Sequence, residues 1–265
     1  LTPALCLVHL VWAPLGTEPL ERFVRSYRAH DPGTEHELVV VYNGFRVEDD
    51  LSSWQRMLGE VDHRELRLER PAIDLAAYRQ TVDLAVAERY CFVNSHSEVL
   101  VDGWLGQLER HLLAPGVGMV GTGGSFESAY SSAPRPLRPF RRDFEPFPNP
   151  HIRTNGFALT RELLVSLDWP LPRRKLHAWQ LESGRHGISR QVCERGLELL
   201  AIDRHGSAHP VERWYESATF RSGGQVNQML GDNRTREYET ADPKRRLQLE
   251  RMAWGPTGAD GRSIS

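Results

Sequence analysis

An apolar run from Tyr90 to Val93 ends abruptly in Asn94, Ser95, His96 and Ser97, and a helix-like stretch begins a few residues later at Asp102. Polar side chains at the carboxyl end of a buried strand stand where open α/β sheets meet their ligands. Amide and hydroxyl groups there can hold anionic oxygens, and neutral imidazole can bind a divalent metal, so His96 with His209 or His205 is a candidate ligand pair. The plainer reading is a strand that ends in polar residues. Arg135, Arg138, Arg141 and Arg142, interleaved with Pro136, Pro139 and Phe140, form a basic aromatic loop able to close over a diphosphate or face an anionic acceptor, although such runs commonly just keep a surface soluble. Residues 121–125, Gly-Thr-Gly-Gly-Ser, leave backbone N–H groups unobstructed, as anion-binding turns require. Segment 214–227 mixes aromatic and amide groups as carbohydrate sites do, and Asp232 to Thr235 reads as a helix cap with a salt-bridge cluster.

Other chemistries lack their residues. No G-x-G-x-x-G follows the first apolar run, no phosphate-loop lysine accompanies the glycines at 121–124, and no G-x-S-x-G occurs, which argues against dinucleotide oxidoreduction and serine hydrolysis.

The elements that must position these groups follow from apolar periodicity. Runs at 5–12 and 38–42 suit strands covered on both faces, with a helix over 18–30 between them. A strand at 65–68 precedes a helix capped by Asp74 that places Leu75, Tyr78, Val82 and Ala85 on one face. The strand at 90–93, a helix at 102–113 and a strand at 117–120 complete a doubly wound half. Segment 131–150, rich in Pro, Arg and Phe, reads as an ordered irregular loop. Beyond it come a strand at 155–160, a short helix from 161, a helix over 186–195, a strand at 197–202 and one amphipathic helix over 237–254.

With 265 residues the chain can bury a sizeable core. Its formal charge of −2 provides no basic field for nucleic acid. Cys6, Cys91 and Cys193 sit in or beside apolar runs without C-x-x-C spacing, as reduced core residues of a cytosolic protein would. No window reaches the ~18 apolar residues of a membrane span. Starting at Leu1 rather than methionine, the chain is expected to be a domain cut from something longer.

Over residues 4–205 the order of these segments resembles the family 2 glycosyltransferases of GT-A fold. Val39 to Asn43 stands where that family has apolar residues followed by a base-reading aspartate; Tyr42 takes that place and Asn43 follows. Segment 74–79, from Asp74 to Arg79, matches a second nucleotide-contacting segment, and Asn94 to Ser97 replaces the metal-binding Asp-x-Asp. Arg153, Asn155 and Gly156 resemble the turn and strand beneath the acceptor. In the segment matching the family's catalytic base, Glu182 stands for the first acid, Ser183 replaces the second, and Arg190 follows, with Trp179 just ahead. Asn-Ser-x-Ser, Glu-Ser-Gly and Asp-Asn-Arg-Thr together are similar to bacterial surface-polysaccharide transferases.

The resemblance implies an α/β fold with a mostly parallel central sheet flanked by helices, as a single domain over 1–236 followed by a docking helix and polar tail over 237–265. It implies an inverting, hexosyl-type transfer in polysaccharide or glycoconjugate synthesis, in the cytosol or at the cytosolic face of a membrane. The nucleotide-sugar donor, UDP-linked by family prevalence, would meet Tyr42, Asn43, Asp74, Arg79, Asn94, Ser95, His96 and Ser97. A carbohydrate or glycolipid acceptor would meet Arg153, Asn155, Gly156, Trp179 and Arg190. Glu182, after apolar Trp179 and Leu181 and before Gly184, is expected to project from a tight turn as the general base; capping a helix or pairing with Arg185 or Arg190 is the alternative. The family's divalent metal, Mn or Mg, would fall to His96 and His209, unless Asn94, Ser95, Ser97 and nearby arginines do its work. Loss of both aspartates also suits a catalytically inactive module that binds nucleotide sugars or carbohydrate.

Overall fold

A computed structural model describes residues 3–256; the end of the expected polar tail, 257–265, lies outside them. In chain order the elements are β1 (Leu5–Trp12), α1 (Glu18–Ala29), β2 (Glu37–Asn43), α2 (Ser52–Leu58), β3 (Arg64–Arg67), α3 (Asp74–Leu84), β4 (Arg89–Val93), β5 (Glu98–Val99) and α4 (Trp104–Leu112). There follow β6 (Val117–Gly121), β7 (Gly124–Ser125), α5 (Ala129–Ser132), β8 (His151–Ile152), β9 (Gly156–Thr160), α6 (Arg161–Ser166), α7 (Lys175–Ser183) and α8 (Ile188–Glu194). The chain closes with β10 (Glu198–Ile202), β11 (Ala208–His209), β12 (Leu230–Gly231), α9 (Asn233–Thr240) and α10 (Pro243–Trp254).

Eight strands form the central sheet in the order β11-β10-β6-β9-β4-β1-β2-β3, and two small sheets pair β12 with β5 and β7 with β8. The central sheet is mostly parallel; β9 runs antiparallel to both β4 and β6, and β11 antiparallel to β10. Side chains alternate between the faces of a strand. Cys6, Val8, Leu10, Val39, Val41, Tyr90 and Phe92 therefore pack on one side, under α3, α7, α8 and α10. Leu5, Leu7, Val11, Leu38, Val40, Cys91 and Val93 pack on the other, under α1 and α4. Both faces are covered, which is why these strands read as continuous apolar runs.

β9 is what brings the chemistry together. Because it is antiparallel to β4, Gly156 lies beside Val93, and the residues just before it arrive at the carboxyl edge of β4. Asn94 N–H donates to the Asn155 carbonyl at 3.2 Å. On the other flank β12 pairs with β5, with Gly231 opposite Glu98, which sets Asp232 beside the same edge.

Several expectations are corrected. Glu182 sits in the last turn of α7, a helix the sequence pattern did not show, rather than on a tight turn. Asp74 is the first residue of α3, not its cap. Segment 131–150 contains the end of α5 and a 3-10 run, Arg135–Arg141. One expected C-terminal helix is two, because Asp242 caps a new start with Pro243 in its first turn. Cys193 is exposed, whereas Cys6 and Cys91 are buried. The glycines of 121–125 serve close packing: a Cβ on Gly124 would stand 2.1 Å from the Trp214 ring, and its strand forms a ladder with β8 in place of an open anion turn. Among the described residues no helix is long and apolar enough to cross a membrane.

His9, inside β1, stacks on Phe23 at 3.7 Å, and both its ring nitrogens are buried without a partner. Burial pulls the imidazole down to about 3 from its ordinary 6.5. The unfolded chain therefore takes up the proton first. The contribution of this one group to stability is fully present above about pH 6.5 and is lost progressively as pH falls below it, by at most about tenfold in the folding equilibrium per pH unit, until the folded group also titrates. His9→Phe should remove that slope, as measured by denaturant unfolding at pH 7 and pH 5; equal slopes in both proteins would refute the assignment.

Candidate active site

A cleft of about 1640 Å³ opens at the carboxyl edge of the parallel strands. Asn43, Asp74, Asn94, Ser95, His96, Arg153, Asn155, Trp179 and Glu182 all line it. Eight cationic side chains face five carboxylates there, so the cleft is positive in a chain whose formal charge is −2. Anionic ligands are favoured by that field.

Glu182 is half-buried and makes no ion pair among the described residues. Its Oε1 accepts hydrogen bonds from the Thr154 N–H at 3.1 Å and the Thr154 hydroxyl at 2.7 Å. One oxygen is thus fixed, and Oε2 keeps its lone pairs for the cleft. Arg185 and Arg190, the partners considered from sequence, lie by Glu145 instead, at 3.2 and 3.7 Å. Across from α7, Asp74 opens α3, and its Oδ1 accepts the Leu75 N–H at 3.0 Å. Burial and then the nearby Glu182 push the Asp74 carboxyl above its ordinary value.

At the tip of β4 the Asn94 Oδ1 accepts from the His96 N–H at 2.8 Å and from the Ser97 hydroxyl at 3.2 Å, closing a turn. Ser97 is fully buried and holds this turn without lining the cleft. Burial and then Arg236 pull the His96 imidazole below its usual range, so it is neutral near pH 7. Asn155 borders the cleft, is 5% exposed, and its buried Oδ1 has no partner among the described residues. Trp179, 39% exposed, is flanked by the Arg141 guanidinium at 5.9 Å and the Lys175 ammonium at 5.7 Å, an arrangement suited to stacking on a sugar ring.

Other expected site residues lie elsewhere. Tyr42 points to the opposite face of the sheet, where its hydroxyl donates to Glu65 at 3.1 Å. Asn43 does reach the cleft, but its amide is tied on both sides to the Ala72 backbone, at 2.7 and 2.9 Å, and holds the loop before α3. Arg79 pairs with Asp83 at 2.7 Å, away from the cleft. Gly156 is packed inside β9, where a Cβ would approach Leu230 and Thr122 within 2.8 Å. His209 bonds Asp203 at 2.9 Å on β11, four strands from β4 and roughly 19 Å across the sheet, so it does not join His96.

Thr154 and Asp232, which carry no expected role in the site, complete the cleft. Thr154 fixes Glu182. Asp232, capping α9 through the Arg234 and Thr235 N–H groups, accepts from the Arg153 guanidinium at 2.8 Å. Burial raises the Asp232 carboxyl, but Arg153 and these hydrogen bonds outweigh it and hold the group below its ordinary range. The capping pattern of 232–235 was legible; its arginine partner 79 residues away was not.

The donor set does not suit a divalent metal. The Asn94 oxygen closes its own turn, His96 faces the cationic Arg236, and Asp232 is occupied by Arg153. Among the described residues no three His, Cys, Asp or Glu side chains gather as a metal would require.

No protein-family model matches the chain, and no curated protein matches it. Solved structures do resemble it. A mannosyltransferase from Pyrobaculum calidifontis, in complex with GDP-Man and Mn²⁺, is 15% identical with a TM-score of 0.41, over 68% of this chain and 60% of its own. Glucosyl-3-phosphoglycerate synthase from Mycobacterium tuberculosis, in complex with Mn²⁺, UDP and glucosyl-3-phosphoglycerate, is 17% identical with a TM-score of 0.40, over 62% and 59%. GalNAc-T7, with UDP, GalNAc and Mn²⁺, is 14% identical with a TM-score of 0.49, over 75% and 42%. The chain thus spans between 42% and 60% of the length of these structures.

Proposed function

We propose that the cleft transfers a sugar from a nucleotide-sugar donor to a hydroxyl acceptor, with inversion at the anomeric carbon. The observation that carries this reading is a carboxylate fixed at one oxygen by Thr154 and open at the other, in the same cleft as the polar tip of β4. Donor diphosphate lies along Asn94, Ser95 and His96, and the acceptor stacks near Trp179. Glu182 Oε2 takes the acceptor proton as that oxygen bonds to the anomeric carbon. The bond from that carbon to the β-phosphate oxygen breaks in the same step, and the nucleoside diphosphate leaves with the electron pair. UDP is the expected nucleotide by prevalence in the family the sequence resembles. A carbohydrate or glycolipid is the expected acceptor, met in the cytosol or at the cytosolic face of a membrane.

The test is a titration with UDP-, GDP- and dTDP-sugars, followed by an assay for slow donor hydrolysis without acceptor. Saturable binding of one nucleotide class with measurable hydrolysis supports the reading. Binding with neither hydrolysis nor transfer to any acceptor would overturn it in favour of a catalytically inactive binding module.

A further inference from the structure

Two guanidiniums lie over the Phe220 ring: the Arg153 guanidinium carbon is 3.7 Å from its centre and that of Arg221 is 4.9 Å away. Arg153 is held on its other side by Asp232, which is 1% exposed and is fixed in turn by the first turn of α9. Arg221, 3% exposed, sits between Glu127 and Glu237, at 3.7 and 3.4 Å, and its buried Nε has no partner. Among the described residues the Arg153 side chain makes one hydrogen bond, through Nη2, so Nε and Nη1 keep their donors for a ligand in the cleft. A guanidinium stacked and pinned in this way is oriented before anything binds. Nε and Nη1 lie on different edges of its plane, so each can donate to a separate anionic oxygen.

The loop that supplies Phe220 is strained. Ala218, Arg221 and Gln225 are the only non-glycine residues at positive φ among those described, at 52°, 45° and 57°. Strain of this kind persists only where surrounding contacts over-determine the backbone, and it gathers at binding sites. Here the Gln225 side chain accepts the Arg221 N–H at 2.9 Å, and the Trp254 indole donates to the Phe220 carbonyl at 2.9 Å. Arg153 stands two residues before Asn155, whose carbonyl accepts the Asn94 N–H, and its partner Asp232 follows the strand paired to β5. The guanidinium therefore lies beside the tip of β4, where the donor set offers no seat for a divalent ion.

We propose that Arg153, backed by Phe220 and Arg221, is the built-in cation that receives the leaving diphosphate, in place of the acceptor contact that the resemblance implies, and that this cleft binds nucleoside diphosphates without a divalent metal. The proposal rests on the transferase reading for the identity of its ligand. As the bond between the anomeric carbon and the β-phosphate oxygen breaks, the electron pair passes to that oxygen, and the growing negative charge on the diphosphate meets the positive charge and a free N–H donor of Arg153.

The test is calorimetric titration of the full chain with UDP, GDP and inorganic pyrophosphate, in excess EDTA and again with Mn²⁺, using the wild type, Arg153→Gln and Arg153→Lys. Equal affinity within about twofold in EDTA and Mn²⁺, a loss of at least about tenfold in Arg153→Gln, and partial recovery in Arg153→Lys support the proposal. The comparison of EDTA with Mn²⁺ needs no variant, so it stands even if Arg153→Gln does not fold. Binding that appears only with Mn²⁺, or a folded Arg153→Gln that binds like wild type, overturns it. Nucleotide-sugar turnover that requires Mn²⁺ and ignores Arg153→Gln removes this clamp and leaves the transferase. Metal-free pyrophosphate binding lost in Arg153→Gln, with no turnover of any nucleotide sugar, keeps the clamp and removes the transferase.

Discussion

Glu182→Gln should lower the rate of sugar transfer by about 10²- to 10⁴-fold, some 3–5 kcal/mol of transition-state stabilisation, while donor affinity stays within about twofold. The substitution preserves shape, and the amide oxygen of glutamine can still accept both hydrogen bonds from Thr154, so the last turn of α7 keeps its place. What disappears is the basic oxygen that faces the cleft. Asp74 lines the same cleft and could be suspected of taking over. Its Oδ1 accepts the Leu75 N–H at the start of α3 and its other oxygen is free, so Asp74→Asn is the control, expected to keep far more transfer activity than Glu182→Gln. Single-turnover kinetics alongside donor titration separate the two effects. A Glu182→Gln enzyme with wild-type turnover would remove Glu182 from the chemistry, and a parallel collapse of donor binding would make it a donor-site residue instead.

Trp254→Ala should destabilise the protein by about 3–5 kcal/mol, the usual cost of emptying a buried aromatic site. Trp254 is fully buried at the end of α10 and meets Phe126 at 5.3 Å and Tyr215 at 5.8 Å, both edge to face. Its indole N–H is also what holds the Phe220 carbonyl, so the loss reaches the cleft as well as the core. Trp254→Phe restores much of the apolar volume but leaves that carbonyl unpaired, at about 1–3 kcal/mol. Urea unfolding of the three proteins should rank them wild type, Phe, Ala. An alanine variant within about 1 kcal/mol of wild type would show that α10 is peripheral to the core.

The inner strands of the central sheet were legible because they are covered on both sides, so burial wrote itself into the sequence as continuous apolar runs bounded by turns; the edge strands β3 and β11 are partly exposed and carry no such run. The tip of β4 and Glu182 were legible as polar breaks in that pattern, and they do share one cleft. Helix α7 was not: in KLHAWQLES only Ala178 and Leu181 are buried, too few to draw an apolar stripe. Tyr42 and Asn43 were both assigned to the donor, yet neighbours on a strand point to opposite faces, so only one could reach it. The Asp242-Pro243 pair carried a cap signal that should have divided the C-terminal helix. Arg153 with Asp232, and Phe220 with two guanidiniums over its ring, arise from segments far apart in the chain and from a loop with no period. Only tertiary contact reveals them.

The placement of β9 has a consequence for how the protein comes to exist. In the main sheet β6 touches only β9 and β10, so it cannot dock on the strands made before it until β9, some forty residues later in the chain, has been synthesised and inserted. Strands β1 to β4 can assemble as the chain emerges, whereas the far side waits for a long loop to close, a slow kind of step. Residues 153–155 sit at that seam. Arg153 and Thr154 take their places only with that insertion, and Glu182, Phe220 and Asp232 come later still in the chain, so a nascent or truncated chain holding the whole first half would still present an unfinished cleft.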